Sequence, residues 1–325
     1  MNRTRRLLLA CLPALAGCLS FHPGALPGEP KNATFAEVEG ARVRYLDTDP
    51  SSVGSQTTIE TDDGNEAVAT ATKEKPTVVM VHGFASSLEN WAPVIPVISK
   101  QYRIVALDLK GFGWTDRPEG DYSPEAQAKL VLRLMDARGV KSAMLVAHSW
   151  GSSVALQALL LAPERFTRVA LYDAWVYEDQ LPTFFHWSRA AGVGEALFGL
   201  WYNERVDERM SLAFYDKRFV TERFVEDVEK AVARPGTRAA ALAAVRGQRY
   251  ADVESKYKDV KQPTLLMWGR EDTVTPLKYG ERLSRELQNA RMIVYPRCGH
   301  FPMIEARDAS NRDLLAWLGG KDVFQ

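Results

Sequence analysis

Three short segments of this sequence carry the residue types of nucleophilic acyl chemistry. Ala147-His148-Ser149-Trp150-Gly151 follows the apolar run Ala143 to Val146 and precedes a helical pattern that ends before Pro163. A sharp strand-to-helix turn lifts a serine hydroxyl clear of the sheet and needs small neighbours where the backbone crowds, which makes Ser149 the candidate nucleophile. Ala147 stands where glycine is usual, a one-carbon change that tightens the turn without abolishing it. A serine hydroxyl is a weak nucleophile at neutral pH and needs a base beside it. His300, in Cys298-Gly299-His300-Phe301-Pro302, follows the last apolar run, and Asp272, in Gly269-Arg270-Glu271-Asp272-Thr273-Val274-Thr275-Pro276, follows the run before it. The pentad alone would also suit a serine that merely caps a helix. The order Ser, Asp, His, with each residue at the carboxyl end of a strand, is what points to chemistry.

The elements that must position these groups are legible as period. Thr77 to Val81, Ile104 to Leu107, Ala143 to Ala147, Val169 to Tyr172, Thr264 to Trp268 and Met292 to Tyr295 are short continuous apolar runs, the pattern of parallel strands buried on both faces. Thr34 to Glu39 and Ala41 to Leu46 alternate about Gly40 and predict a hairpin at a sheet edge. Ala128, Val131, Leu132 and Met135 share one helical face, with Ser123 as N-cap, Pro124 at the first position and Gly139 at the end. Strand and helix alternate until about Trp175, after which residues 175–250 hold helical patterns without a convincing strand. Phe184, Phe185, Trp187, Phe198, Trp201, Tyr202, Phe214 and Tyr215 lie there. Most are expected to fill the insertion's own core, and a few to line an apolar pocket.

From Phe35 to Leu318 these motifs resemble the α/β-hydrolase superfamily. The resemblance implies an α/β fold with a mostly parallel central sheet of about eight strands, helices on both faces, and a helical cap formed by the insertion. It implies Ser149 as nucleophile, His300 as base and Asp272 as orienting acid, with Glu271 and Asp173 as rivals for the acid. His82-Gly83-Phe84 resembles the superfamily's oxyanion turn, so the backbone N–H groups of Phe84 and Trp150 would hold a tetrahedral oxyanion. His148 reads as a packed or hydrogen-bonded residue, and His22 and His186 show no partners. The loop Asp108 to Pro118 resembles a scaffolding motif of capped members. A serine at this position argues against haloalkane dehalogenases and epoxide hydrolases, which place aspartate there. Esterases, carbon-carbon bond hydrolases, prolyl-aminopeptidase-like enzymes and haloperoxidase-like enzymes stay compatible.

Composition is that of an ordinary globular chain: 325 residues, 46% hydrophobic, with 41 basic and 41 acidic residues. A net charge of zero offers no footprint for nucleic acid. No metal-ligand spacing and no dinucleotide or phosphate-loop fingerprint occurs, so no cofactor is implied. Arg3, Arg5 and Arg6 precede a short apolar stretch that ends Leu15-Ala16-Gly17-Cys18. This is shaped like a signal peptide and resembles the lipobox of bacterial lipoproteins, in which the cysteine is lipidated. Residues 1–17 are therefore expected to be a leader, Cys18 a lipid anchor to a membrane of the bacterial envelope, and 18–33 a Pro- and Gly-rich tether. The core would then run over 34–174 and 251–325 around a cap at 175–250. The residues from Asp49 to Lys75 read as a long surface loop at the end of the sheet away from the chemistry. The expected activity is hydrolysis of a small or medium apolar ester through an acyl-enzyme, with a non-catalytic ligand-binding envelope protein as the rival class.

Overall fold

The computed structural model describes residues 19–49, 75–202 and 206–321. The leader, Cys18 and nearly all of the 49–75 loop lie outside them. The chain runs β1 (Thr34–Val38), β2 (Ala41–Asp47), β3 (Thr77–Val81), α1 (Ile95–Ile98), β4 (Arg103–Leu107), α2 (Pro124–Ala137), β5 (Ala143–His148), α3 (Trp150–Leu161) and β6 (Phe166–Tyr172). Helices α4 (Thr183–Ser188), α5 (Val193–Trp201), α6 (Val206–Ala213), α7 (Glu222–Ala233) and α8 (Thr237–Gly247) then interrupt the alternation. It resumes with β7 (Thr264–Gly269), α9 (Leu277–Glu286), β8 (Ala290–Tyr295), α10 (Pro302–Glu305) and α11 (Arg307–Leu318).

The eight strands form one sheet in the order β1-β2-β4-β3-β5-β6-β7-β8. β2 pairs antiparallel with β1 and β4, and every other pairing is parallel. The continuous apolar runs have a direct cause. Side chains alternate across a strand, so Val79, Val81, Val105 and Leu145 feed a core shared with α2 and α3, while Val78, Met80, Ile104 and Met144 feed a second core with α1 and α11. With both faces covered, the middle positions of these strands are left to apolar residues.

Helix α2 starts where its sequence predicts. The Ser123 hydroxyl accepts from the Ala126 N–H at 3.2 Å, Pro124 needs no acceptor, and Glu125 pairs with Lys129 one turn on.

Residues 19–33 differ from the expected free tether. His22 exchanges backbone hydrogen bonds with Arg117, the Gly24 N–H donates to Asp116, Phe21 stacks on Tyr122, and Leu26 is buried. Two apolar side chains within a Pro- and Gly-rich stretch leave no periodic signal, yet they suffice to seat it on the domain. The residues that flank the 49–75 loop lie at the amino end of the parallel strands: Thr48 donates its N–H to Ile104 and Arg103 donates to Pro76.

Candidate active site

Ser149 sits between β5 and α3 with φ 52° and ψ −125°, a backbone conformation that L-residues rarely adopt. The surroundings hold it there. Its N–H donates to the Tyr172 carbonyl at 2.9 Å, and its carbonyl accepts from Trp175 at 3.1 Å and Ser152 at 2.8 Å. The small neighbours are demanded by space. A Cβ on Gly151 would lie 2.4 Å from the His82 carbonyl oxygen, and one on Gly83 would lie 3.1 Å from the Ser149 Cβ.

Asp272 and His300 come from the loops after β7 and β8, which cross so closely that a Cβ on Gly269 would lie 1.9 Å from the Gly299 carbonyl oxygen. His300 Nδ1–H donates to Asp272 Oδ2 at 2.8 Å. The carboxylate also accepts from the Thr275 hydroxyl at 2.5 Å on Oδ2, and from the Val274 and Thr275 N–H groups at 2.7 and 3.0 Å on Oδ1. Burial opposes its charge, but the charge of His300 and these hydrogen bonds prevail and hold its pKa below the ordinary value. Thr275 is a site residue that the sequence reading missed; its signal is a hydroxyl placed to close a turn on the preceding acid.

The rivals for the acid have other hydrogen-bond partners. Glu271 accepts from the Cys298 N–H at 3.0 Å and so shapes the His300 loop. Asp173, fully buried with φ 43°, accepts from the Gly269 N–H at 2.9 Å through Oδ1, and its Oδ2 has no hydrogen-bond partner. Burial and then the charge of Asp272 push its pKa well up. Donor atoms of Asp173, Asp272 and His300 lie within 4.8 Å of one another, the only such set among the described residues. The set reads as an acid–base pair beside a second buried acid, because its imidazole and the Asp272 carboxylate already bond each other.

His148 adjoins Ser149 and ties the two halves of the site together. Its Nε2–H donates to the His300 carbonyl at 2.8 Å, its ring lies 4.7 Å from the His300 ring, and Asn90 reaches its Nδ1 at 3.4 Å. Burial, then the neighbouring His300, depresses its pKa well below the ordinary value, so it is neutral and holds position. His82 is likewise neutral by burial. Its Nδ1–H donates to the Gly83 carbonyl at 2.7 Å and its Nε2 accepts from Leu109 at 2.9 Å, which fixes the turn that carries Phe84. Trp150 opens α3, where an amide has no acceptor inside the helix. The Phe84 ring packs edge-on to Trp150 at 5.8 Å and Phe112 at 5.3 Å, and tilts against Phe185 at 5.8 Å.

The aromatic residues of the helical insertion divide. Phe185, Phe198 and Phe214 are buried, whereas Phe184, Trp187 and Tyr215 are exposed. Phe185 touches both Phe84 and Trp175 and so joins the insertion to the site. A cavity of about 360 Å³ lies beside the Asp272 loop, walled by Trp175, Pro182, Val274 and Tyr279. Cys298, whose thiol burial pushes up, takes no nucleophilic part.

Residues 76–307 match the family model of the alpha/beta hydrolase fold. The chain is 28% identical over 259 residues to a 2-hydroxy-6-oxo-2,4-heptadienoate hydrolase of Pseudomonas putida, covering 75% of this chain and 90% of that one. It is 28% identical over 243 residues to an uncharacterised hydrolase of Bacillus subtilis, covering 70% and 84%. A meta-cleavage product hydrolase of Pseudomonas fluorescens superposes with a TM-score of 0.70 at 27% identity, over 88% of this chain and 97% of that one. A fold so matched, over most of the length of hydrolases, places this chain in the α/β-hydrolase family.

Proposed function

We propose that the chain is a serine hydrolase that cleaves a small or medium apolar ester through an acyl-enzyme on Ser149. The observation that carries the reading is the 2.8 Å bond from His300 to a buried, ionised Asp272, on a loop that His148 fastens to the Ser149 turn. In the acylation step Ser149 Oγ attacks the carbonyl carbon while its proton passes to His300 Nε2. Asp272 keeps Nδ1 protonated and stabilises the imidazolium that forms. The oxyanion accepts from the Phe84 and Trp150 N–H groups, at about 3 kcal/mol for each donor. Collapse expels the alcohol, which takes the proton from His300. Water then gives a proton to the same nitrogen, attacks the acyl carbon, and releases the acid as Ser149 recovers its hydrogen. Residues 175–250 act as the cap, with Phe185 and Trp175 as an apolar wall. Residues 1–17 are a leader and Cys18 a lipid anchor that holds the enzyme on a membrane of the bacterial envelope.

A fluorophosphonate probe tests the chemistry. The folded chain is expected to be labelled and Ser149→Ala is not; labelling of neither, or of both alike, overturns the reading. A second reading, carbon-carbon bond hydrolysis on the same residues, is favoured by the likeness to the dienoate hydrolase of Pseudomonas putida. Comparing kcat/KM across aryl esters of graded acyl length with that for a 2-hydroxy-6-oxo-dienoate decides between them.

A further inference from the structure

The short segment 212–216, at and beyond the end of α6 in the insertion, lies directly on both catalytic loops. The His300 N–H donates to the Ala213 carbonyl at 2.7 Å, and the Thr273 hydroxyl, next to Asp272, donates to the Leu212 carbonyl at 2.8 Å. Phe214 stacks on Phe301 with ring centres 4.8 Å apart. A Cβ on Gly299 would lie 2.5 Å from the Ala213 carbonyl oxygen and 2.8 Å from the Tyr215 nitrogen, so the two backbones meet as closely as glycine permits.

One side chain joins them. The Glu305 carboxylate accepts from the Gly299 N–H at 2.6 Å and the Tyr215 N–H at 3.3 Å through Oε2, and from the Asp216 N–H at 2.7 Å through Oε1. The first donor belongs to the catalytic loop and the other two to the insertion. We propose that Glu305 is a positioning residue that latches segment 212–216 onto the His300 loop, so that the imidazole is in place only while the insertion is seated. The catalytic consequence rests on His300 being the base, as proposed above; the latch itself does not.

The physical basis is the acceptor count. Three backbone donors converge on two oxygens, and only a carboxylate presents acceptors on both. In Glu305→Gln, whichever way the amide turns, an NH₂ group confronts at least one N–H, and that donor loses its partner. A small aryl ester that does not need the insertion for binding should then show kcat reduced about ten-fold or more with KM nearly unchanged. Hydrogen exchange at Gly299, Tyr215 and Asp216 should quicken by a similar factor, while Asp308→Asn, at an exposed site, matches the parent in both measurements. Phe214→Leu, which removes the ring stack but keeps the burial, should move both in the same direction by less. Parental kcat together with parental exchange in Glu305→Gln overturns the proposal.

Exchange in the unmodified chain gives a readout that survives a variant that fails to fold. If the latch is one unit, the amides of Gly299, His300, Tyr215 and Asp216 open with a common protection factor. Separate values for the two segments overturn the latch. Fluorophosphonate labelling of Ser149 separates the two ideas. A common protection factor in an unlabelled chain keeps the latch and sinks the catalytic reading; labelling with unlinked segments does the reverse.

Discussion

At the scale of single residues, the site holds two carboxyl groups whose environments drive them apart. Thr275 and the Val274 N–H stabilise Asp272 as an anion, whereas Asp173 accepts from one N–H and faces the carboxyl of Asp272. Asp272→Asn removes the acceptor that fixes the His300 tautomer, and kcat for an ester is expected to fall by about 10³ to 10⁴. Asp173→Asn replaces an acid whose pKa is pushed well up with a neutral amide of the same shape, so kcat at pH 7 should change by no more than about three-fold. Its effect on stability has a definite sign. Because the folded pKa of Asp173 is raised, the native state keeps a proton that the unfolded chain sheds above 3.8, so this group lowers stability as pH rises from there toward its folded pKa. The Tm of Asp173→Asn relative to the parent should therefore increase between pH 4 and pH 7 in scanning calorimetry, and a flat or falling difference would contradict a raised pKa at Asp173. Both aspartates follow a buried strand, so their position in the sequence leaves the choice open; the partners decide it, and of these only Thr275 stands close enough in sequence to leave a local signal. Glu305 gave no signal, because two of its three donors come from a segment far away in the sequence.

At the scale of elements, the sheet separates the chemistry at one end from a stabilising cluster at the other. Asp47, at the end of β2, has a side chain that is 2% exposed and accepts from Arg103 at 2.7 Å and Arg138 at 3.1 Å. Burial pushes its pKa up, but the hydrogen bonds from Arg103, the Asp49 N–H and Arg138 outweigh this and lower it, so its contribution is present at neutral pH and is lost as pH falls below about 4. Asp47→Ala leaves two guanidinium groups without their buried counter-charge at a cost of about 3 kcal/mol. For a chain of this size the Tm should drop by roughly 4 to 6 °C, with kcat at 25 °C unchanged. A loss of kcat with Tm preserved would mean that the foot of the sheet communicates with the site. The parallel strands of this sheet were legible because burial on both faces favours continuous apolar runs. Pairing across the sheet was not: Asp47 and Arg103 are joined by the register of β2 against β4, which no local pattern encodes. The helices of the insertion were legible as helical, but not which of its aromatics turn inward, since Phe184 and Phe185 are neighbours of identical type and only the second is buried.

At the scale of the whole molecule, the docking of residues 19–33 determines where an anchor at Cys18 would leave the enzyme. His22 pairs with Arg117, on the loop that leaves the carboxyl end of β4, and a Cβ on Gly236 would lie 2.8 Å from the His22 nitrogen, just before α8 begins. The carboxyl ends of the strands carry Ser149, Asp272 and His300, so an acylated Cys18 would hold the catalytic end toward the lipid surface on a short lead. Such an anchor would govern location rather than chemistry. Cys18→Ser should shift the protein from the membrane to the soluble fraction and remove acyl mass from the mature amino terminus, while kcat for a water-soluble aryl ester stays within about two-fold, because no site residue has moved. An ester embedded in vesicles should be hydrolysed much more slowly by the variant than by the parent, since the unanchored enzyme loses the high local concentration that the lead provides. Retention of Cys18→Ser in the membrane fraction would refute the anchor. Equal rates on the embedded ester would refute the orientation while leaving the anchor intact.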